Sequence, residues 1–171
     1  MEDHNAIITN LHQLLDYDVR KFSSSDIQLK NNLPKWIANA STLKLKTVLQ
    51  KYLDFVQDLV EKLNVFFEAE EINSLSFTNR VMKAFIDETE EKLSNCSDIE
   101  VKDACLLAII QAINHFKITT YGTAAAFANA LNLGKYATVF HNAEMEEKQI
   151  DDRLSRLAEK RSTLKQNLLL P

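Results

Sequence analysis

Few side chains in this sequence stand at spacings that indicate chemistry on their own. His141 and Glu144 lie three residues apart in a helical stretch, a spacing that allows both to bind one zinc ion. Two ligands are too few for a closed site, so an ordinary surface pair is the simpler interpretation. The sequence contains no P-loop, no dinucleotide-binding glycine motif and no Ser/His/Asp set typical of a hydrolase.

The sequence has two cysteines, Cys96 and Cys105. Two cysteines are too few for a disulfide framework, and reduced thiols are expected in the cytosol. Cys105 lies on an apolar helix face and is interpreted as a small hydrophobic residue. Cys96 is near a predicted helix end, where the sequence shows neither a resolving cysteine nor a base beside it.

Composition limits the fold and the function classes. The chain of 171 residues has 2 Gly and 2 Pro, which excludes a β-sandwich or barrel because their turns need such residues. The net charge of -4, and the acids interleaved with the basic residues of segment 153–165, argue against nucleic-acid binding. The longest apolar run, 104–110, is far short of the ~20 residues that span a bilayer. No signal peptide is recognisable, so we expect a cytosolic protein.

Apolar residues recur at steps of three and four, which predicts helices. The predicted helices cover about 3–40, 42–70, 78–93, 98–132 and 135–167. Ser41 or Thr42, Thr78, and Ser97 or Asp98 are the candidate N-caps. Segment 73–76 is predicted to be a loop, and Gly134 to stop the fourth helix.

Two features interrupt these helices. Ser23 to Ser25 and Pro34 predict a kink or a break in the first helix, since proline removes a hydrogen bond and clashes with the preceding turn. Gly122 lies inside the fourth helix, where glycine costs about 1 kcal/mol relative to alanine. A packing role, with a neighbouring segment in close approach, is the favoured interpretation of Gly122.

Four long helices joined by short connections, with one long helical connection around 71–97, predict an all-α bundle. A crossover between the second and third core helices is the ferritin-like arrangement. We therefore expect one ferritin-like domain over 1–167, with an extra short helix in the crossover and a C-terminal tail at 168–171.

Three segments resemble the YciE/YciF-like stress-protein family of the ferritin-like superfamily. Ile113 to Thr123, I-N-H-F-K-I-T-T-Y-G-T, resembles the family pattern V-E-H-Y-E-I-x-x-Y-G-T. Asp26 to Lys35 resembles E-K-Q-L-x-K-A-L-P-K, and Glu146 to Asp151 resembles E-E-K-x-x-D. The matches follow in order with the correct spacing, and the resemblance covers nearly the whole chain.

The resemblance implies inward-facing carboxylates of the kind that bind two metal ions. This chain departs from that pattern at several positions. Asp26 replaces a Glu on the first helix, and Phe55 and Leu59 stand where the second often has a Glu and a His. On the third core helix, Asn114 and Lys117 replace two Glu. On the last, Glu147 and Asp151 remain.

Lys117 is the most informative departure, because an ammonium repels metal cations and has no lone pair to donate. A buried charge needs a partner, so we expect an internal ion-pair cluster of Lys117 with Asp26, Glu147 and Asp151. No metal or other cofactor is then expected. The alternative is iron or manganese bound by a shifted set, Asp26, His115, Glu147 and Asp151. His115 is more simply interpreted as a packing residue.

Three functions follow from these expectations. The first is a non-enzymatic, stress-associated bundle with a degenerate dimetal site and a structural or protective role. The second is a dimetal oxidase or peroxide scavenger with the shifted ligand set, and the third is a helical module for binding another protein. A surplus of apolar residues at 124–127, Ala130, 66–67 and 75–77 predicts a homodimer. Neither nucleic acid nor a membrane is expected as a partner, and the sequence leaves open whether the chain binds another protein.

Overall fold

The computed structural model describes the backbone of residues 7–70 and 78–168, and the side chains of the same ranges up to residue 159. Within those ranges the chain forms five α-helices and no strand. The helices are α1 Leu11–Asn39, α2 Leu43–Ala69, α3 Arg80–Asn95, α4 Ile99–Ala130 and α5 Gly134–Leu168. The predicted all-α fold is confirmed, with α3 as the short helix between the second and third long helices.

The four long helices pack as two hairpins. Short connections at 40–42 and 131–133 fold α2 back along α1 and α5 back along α4, and these two pairs share the most extensive contacts. α1 also contacts α4, and α2 contacts α5, which closes the bundle. α3 packs against α1 and α4. No helix among the described residues is long and apolar enough to cross a membrane.

Two apolar clusters fill the bundle, one towards each end. The first includes Trp36, Leu49, Leu106 and Ile110, and the second includes Leu15, Leu63 and Phe140. Three long helices each carry a buried charged residue where the clusters meet. On each of these helices, the apolar residues about one turn before and one turn after the charged residue belong to different clusters. With the charged residue in the middle, the three sets are Phe22, Asp26 and Leu29 on α1; Ile113, Lys117 and Tyr121 on α4; and Ala143, Glu147 and Ile150 on α5. The sequence therefore places a polar layer between two apolar layers.

The first helix differs from its prediction at its start and at its proline. It begins at Leu11 rather than near residue 3, because the Asn10 side chain caps it by accepting a hydrogen bond from the Gln13 N–H at 2.9 Å. The predicted break at Pro34 is wrong, since the helix runs on to Asn39. Pro34 lies on the exposed face, where water can bond the carbonyl that proline leaves unpaired, and the buried Leu33 and Trp36 hold the turn in place.

The N-cap of α2 matches its prediction in position only, and the N-cap of α3 differs from its prediction. Thr42 precedes α2, but its hydroxyl donates to Asp103 at 2.9 Å instead of capping its own helix. Asp103 accepts the N–H groups of Ser41 and Thr42 at 2.6 and 3.1 Å, so a side chain from α4 caps α2. Asn79, not Thr78, caps α3 by accepting from the Met82 N–H at 3.0 Å.

The two ends of α4 illustrate one correct and one wrong prediction. Asp98 caps its start, accepting from the Val101 N–H at 2.9 Å, as predicted. Its end is set by Asn132, which has a φ of 58°, and not by Gly134, which begins α5. The Leu133 N–H donates to the Ala128 carbonyl at 2.9 Å, the helix-ending bond that accompanies a left-handed residue. Asparagine tolerates that conformation better than most residues.

Some predictions fall outside the described residues. The loop at 73–76, the apolar segment 75–77 and the tail beyond residue 168 belong to this group.

Candidate buried ion-pair site

The candidate site lies in the polar layer between the two apolar clusters. Each of the four long helices contributes at least one side chain, namely Asp26 from α1, Tyr52 from α2, Asn114, Lys117 and Tyr121 from α4, and Glu147 from α5. The three residues of α4 stand at i, i+3 and i+7, so the helix presents them on one face. None of these six side chains is more than 1% exposed.

The Lys117 ammonium is at the centre of this group. Its Nζ lies 2.7 Å from Asp26 Oδ1 and forms a second ion pair with Glu147 Oε1. The structure thus brings together three of the four residues expected in the ion-pair cluster. The ion pairs connect α4 to α1 on one side and to α5 on the other.

Neutral donors bind the other oxygens of the two carboxylates. Tyr121 donates its hydroxyl to Asp26 Oδ2. Tyr52 donates to Glu147 Oε2 at 2.8 Å, and the Asn114 amide donates to the same oxygen at 2.7 Å and to the Glu147 carbonyl at 3.0 Å. Every carboxylate oxygen of the cluster therefore has a partner, which a buried charge requires.

Aromatic rings surround the ammonium. Lys117 Nζ lies 5.4 Å from the ring centroid of Tyr52, 5.5 Å from that of Phe55 and 5.9 Å from that of Tyr121. The negative ring faces attract a cation at these distances. The cluster therefore provides a site for a positive charge made of carboxylates and π-systems.

The ionisation of the cluster follows from burial and pairing. Burial by itself would lower the pKa of Lys117, but the negative charges of Asp26 and Glu147 outweigh it and raise that pKa, so the ammonium stays charged. Burial raises the pKa of Glu147 against the opposing effect of Lys117. Burial and the adjacent carboxylates raise the pKa values of Tyr52 and Tyr121 well above their ordinary range, so both stay protonated hydrogen-bond donors.

Asp151 does not join the cluster, contrary to the expectation from the sequence. Its Oδ1 lies 2.8 Å from Nε2 of His115, whose side chain is 65% exposed. Asp151 is one helical turn beyond Glu147 on α5, and this displacement carries it past Lys117 to a position facing an earlier turn of α4. His115 follows the buried Asn114 on α4, but its own side chain lies at the exposed edge of the α4–α5 contact.

The four residues of the alternative metal set consequently form two separate pairs. Asp26 and Glu147 lie in the core on either side of Lys117, whereas His115 and Asp151 lie near the surface. Among the described residues, no group of three or more His, Cys, Asp or Glu side chains is arranged to hold a metal ion. The ammonium occupies the space between the core carboxylates, so the residues of this site do not fit a dimetal centre.

Apolar side chains fill the two positions of α2 at which the resemblance would imply metal ligands. Leu59 is 5% exposed and belongs to the second apolar cluster, and Phe55 packs against both clusters. His141 and Glu144, the possible zinc pair, interact with each other and with a lysine. Glu144 Oε1 accepts from the Lys148 ammonium at 2.5 Å, and His141 Nδ1 lies 3.5 Å from Glu144 Oε2. His141 and Glu144 therefore form part of a surface charge network.

Sequence reasoning missed the parts played by Tyr52, Tyr121 and Asp103. A signal for Tyr121 was available, since 114, 117 and 121 share one face of an otherwise apolar helix. Tyr52 reads as one more member of an apolar stripe, and nothing local marks its hydroxyl as buried beside Glu147. Asp103 is 62 residues from Ser41, the backbone that it caps, so only the tertiary fold pairs them.

Comparison with known proteins agrees with this architecture. The chain is 30% identical to protein YciF of Escherichia coli K12 over 136 residues, which covers 79% of this chain and 82% of that protein. The crystal structure of the E. coli stress protein YciF superposes with a TM-score of 0.85 at 25% identity, covering 91% of this chain and 99% of that one. YcfI of Rhodopseudomonas palustris, for which a structural role has been proposed, superposes with a TM-score of 0.83 at 25% identity. This superposition covers 91% of this chain and 98% of YcfI.

The match to YciF confirms a ferritin-like bundle and the resemblance to YciF-like stress proteins. A family model described as a domain of unknown function, DUF892, matches residues 10–167. This range includes all five helices except the last residue of α5. This chain therefore belongs to the DUF892 family, as a homologue of YciF.

Proposed function

We propose that this chain is a metal-independent, non-enzymatic bundle with a structural or protective role under stress. One observation carries the proposal: a lysine ammonium, paired with Asp26 and Glu147, stands between the core carboxylates. In a dimetal protein, cations balance the charge of such carboxylates. Here Lys117 supplies that positive charge covalently, so the bundle needs no metal to neutralise its core.

The burial of the cluster supports a role without catalysis. A catalytic group must contact its substrate at hydrogen-bonding distance. Asp26, Lys117 and Glu147 are each at most 1% exposed, so a substrate would have to open the bundle to reach them. The stress association rests on the similarity to YciF, which is described as a stress protein of E. coli. We also propose a cytosolic location, the compartment in which thiols such as Cys96 and Cys105 stay reduced.

Metal analysis tests this proposal. The purified protein is measured for iron and manganese by elemental analysis, before and after incubation with excess Fe(II) and desalting. The wild type should hold neither metal. Lys117→Glu, which places a third carboxylate beside Asp26 and Glu147, should acquire iron. Lys135→Glu is the matched control, since Lys135 is an 84% exposed lysine paired with Glu70, and it should acquire none.

The wild-type measurement decides the question even if Lys117→Glu folds poorly. Near-stoichiometric iron or manganese in the wild type would contradict the proposal and favour the dimetal oxidase or peroxide scavenger. Consumption of hydrogen peroxide by the metal-loaded wild type, lost in a Glu147→Gln variant, would establish that alternative directly.

A protective role predicts a phenotype that does not depend on metal. A strain lacking the gene should lose survival under one or more of osmotic, oxidative and acid stress, and the wild-type gene should restore it. Restoration should be equal in media depleted of iron and manganese. Protection that disappears on metal depletion, with protein levels unchanged, would contradict the proposal.

We also propose that the protein is a homodimer, although the apolar residues on which that prediction rested are mostly used within one chain. Phe67, Ala124 and Ala125 are buried in the second apolar cluster. Ala126 and Ala130 remain exposed, one turn apart on α4, and their small side chains allow close approach of another helix. Sedimentation velocity should give twice the mass of the chain, and Ala126→Glu should halve it; a wild-type monomer would refute the dimer.

A further inference from the structure

The two cysteines, which show no relation in the sequence, are neighbours in the fold. Sγ of Cys96 lies 3.5 Å from Sγ of Cys105, and both residues are half-buried free thiols. The interpretation of Cys96 as a thiol without a resolving partner is therefore wrong. The sulfur contact joins the end of α3 to the beginning of α4.

The turn between these helices produces the contact. Cys96 is the C-cap of α3, with φ -86° and ψ 117°, and its N–H donates to the Lys92 carbonyl at 3.1 Å. α4 begins three residues later at Ile99 and packs back against α3, which brings Cys105 opposite the end of α3. Because the Cys96 backbone has left the helix, it can adjust more easily than a residue inside a helical ladder.

A disulfide at this place requires only a small displacement. The bonded sulfur–sulfur distance is about 2.05 Å, so the two atoms must approach by roughly 1.5 Å from their 3.5 Å contact. Both thiols are half-buried, so a small oxidant can reach them while larger reagents are hindered. Because the two thiols are neighbours in one chain, disulfide formation between them is intramolecular and is favoured over a disulfide with a second protein molecule.

The surroundings distinguish the two thiols. Burial and the adjacent Cys96 raise the pKa of Cys105, against an opposing effect of the nearby Lys92 ammonium. Since the thiolate is the nucleophile, a raised pKa slows the reaction of Cys105 with an oxidant. Cys96 stands outside the helical ladder at the end of α3, whereas Cys105 lies within α4, so Cys96 is assigned the first step and Cys105 the second.

We propose that Cys96 and Cys105 form a peroxide-oxidisable dithiol that closes reversibly into a disulfide between α3 and α4. The Cys96 thiolate attacks one oxygen of hydrogen peroxide, the O–O bond breaks, and a sulfenic acid and hydroxide form. Cys105 then attacks the Cys96 sulfur, and the sulfenic oxygen leaves as water with the thiol proton. In total two thiols and one hydrogen peroxide give one disulfide and two waters, and an external dithiol reverses the reaction.

The test uses the full-length protein, reduced and then freed of reductant in the presence of a chelator. After treatment with hydrogen peroxide, free thiols are counted with a chromogenic disulfide and the intact mass is measured. We expect the loss of both thiols, a mass decrease of about 2 Da for two hydrogens, and a peptide crosslink between the two cysteines after nonreducing proteolysis. Dithiothreitol should restore both thiols.

Single variants separate the two steps. In Cys105→Ser, Cys96 should accumulate as a sulfenic acid that dimedone traps. In Cys96→Ser, Cys105 should react more slowly and give less dimedone adduct. Circular dichroism of both variants verifies that the helices remain.

Three results would overturn the proposal. The first is persistence of both thiols in folded protein under excess peroxide, and the second is oxygen addition to each cysteine without a crosslink. The third is a disulfide found exclusively between two chains. None of these results bears on metal content, so the proposed dithiol and the proposed metal-independent function fail or stand separately.

Discussion

Lys117 Nζ lies 2.7 Å from Asp26 Oδ1, and neither side chain is more than 1% exposed. This pair, extended by Glu147, links three of the four long helices through one ammonium. A buried ion pair does not by itself stabilise a protein more than well-packed hydrocarbon would, because desolvation offsets the attraction. Removing one partner is different, since the remaining charge keeps its desolvation cost and loses its compensation.

Lys117→Met should destabilise the folded chain strongly. The variant leaves Asp26 and Glu147 as two carboxylates in the core without the ammonium between them. Breaking a buried pair in this way costs about 3–5 kcal/mol. The free energy of unfolding from urea titration at neutral pH measures the loss.

Two further variants make that result specific to the cluster. Lys117→Met combined with Asp26→Asn and Glu147→Gln should regain a large part of the stability, because no unpaired charge remains. Lys135→Met, at the exposed ion pair with Glu70, should change stability little. Equal losses for Lys117→Met and Lys135→Met would show that the cluster has no special energetic weight.

Stability should fall steeply as the pH rises above about 10. The pKa values of Lys117, Tyr52 and Tyr121 are raised in the folded chain, while in the unfolded chain these groups ionise near pH 10. Above that pH the unfolded chain binds fewer protons than the folded chain, so its free energy falls relative to the folded state. Each group contributes a slope of up to about 1.4 kcal/mol per pH unit.

Urea titrations between pH 8 and about 11 test this dependence. Tyr52→Phe and Tyr121→Phe should each reduce the slope by one proton's contribution. Tyr17→Phe is the matched control, because Tyr17 is 47% exposed, and its slope should equal that of the wild type. A wild-type stability that is flat across this range would refute the assignment of the tyrosines as buried donors.

Asp103→Ala should destabilise α2 although Asp103 belongs to α4. The variant removes the acceptor of the Ser41 and Thr42 N–H groups and of the Thr42 hydroxyl. Loss of a helix cap of this type costs about 2 kcal/mol. Hydrogen exchange should show the first turn of α2 opening, and Asp98→Ala, at the cap of α4, should leave that turn protected.

The same residue predicts a response to acid. Burial would raise the pKa of Asp103, but the hydrogen bonds from Ser41 and Thr42 outweigh burial and lower it. An acid with a lowered pKa stabilises the folded chain above its unfolded pKa, near pH 4, and loses that contribution as the pH falls through its folded pKa. Stability below pH 4 should therefore decrease less in Asp103→Asn than in the wild type.

Gly122→Ala should be limited by Glu144. An added Cβ at Gly122 would lie 3.0 Å from Glu144 Oε1 and 3.1 Å from its carboxyl carbon. Alanine gains about 1 kcal/mol of helix propensity over glycine, so the outcome depends on whether Glu144 can move. In a Glu144→Ala background, Gly122→Ala should gain that full amount, and in the wild-type background it should gain less.

A double-mutant cycle from thermal or urea unfolding measures this coupling. If the two substitutions change the free energy of unfolding additively, the Glu144 side chain moves away from the added Cβ without an energetic penalty. The close approach to Gly122 is made by the Glu144 side chain, and α4 stays continuous through the glycine.

The amino-acid sequence alone predicted the helices and their arrangement, because the information needed is local. Apolar residues at steps of three and four define buried faces, and the scarcity of Gly and Pro excludes a turn-rich fold. The long connection between the second and third long helices indicated the ferritin-like arrangement, and α3 lies there. Capping errors at Thr78 and Gly134 were displacements of a residue or two, where neighbouring candidates have similar local chemistry.

The composition of the buried cluster was decided only by the tertiary structure. Asp26, Glu147 and Asp151 are equally plausible partners of Lys117 in one dimension. The axial register of α5 against α4 and the rotation of each helix place Glu147 beside Lys117 and Asp151 beside His115. The hydroxyl of Tyr52 and the paired sulfurs of Cys96 and Cys105 depend on the same long-range geometry. Helical periodicity specifies which face a residue occupies, but only packing between helices determines what that face meets.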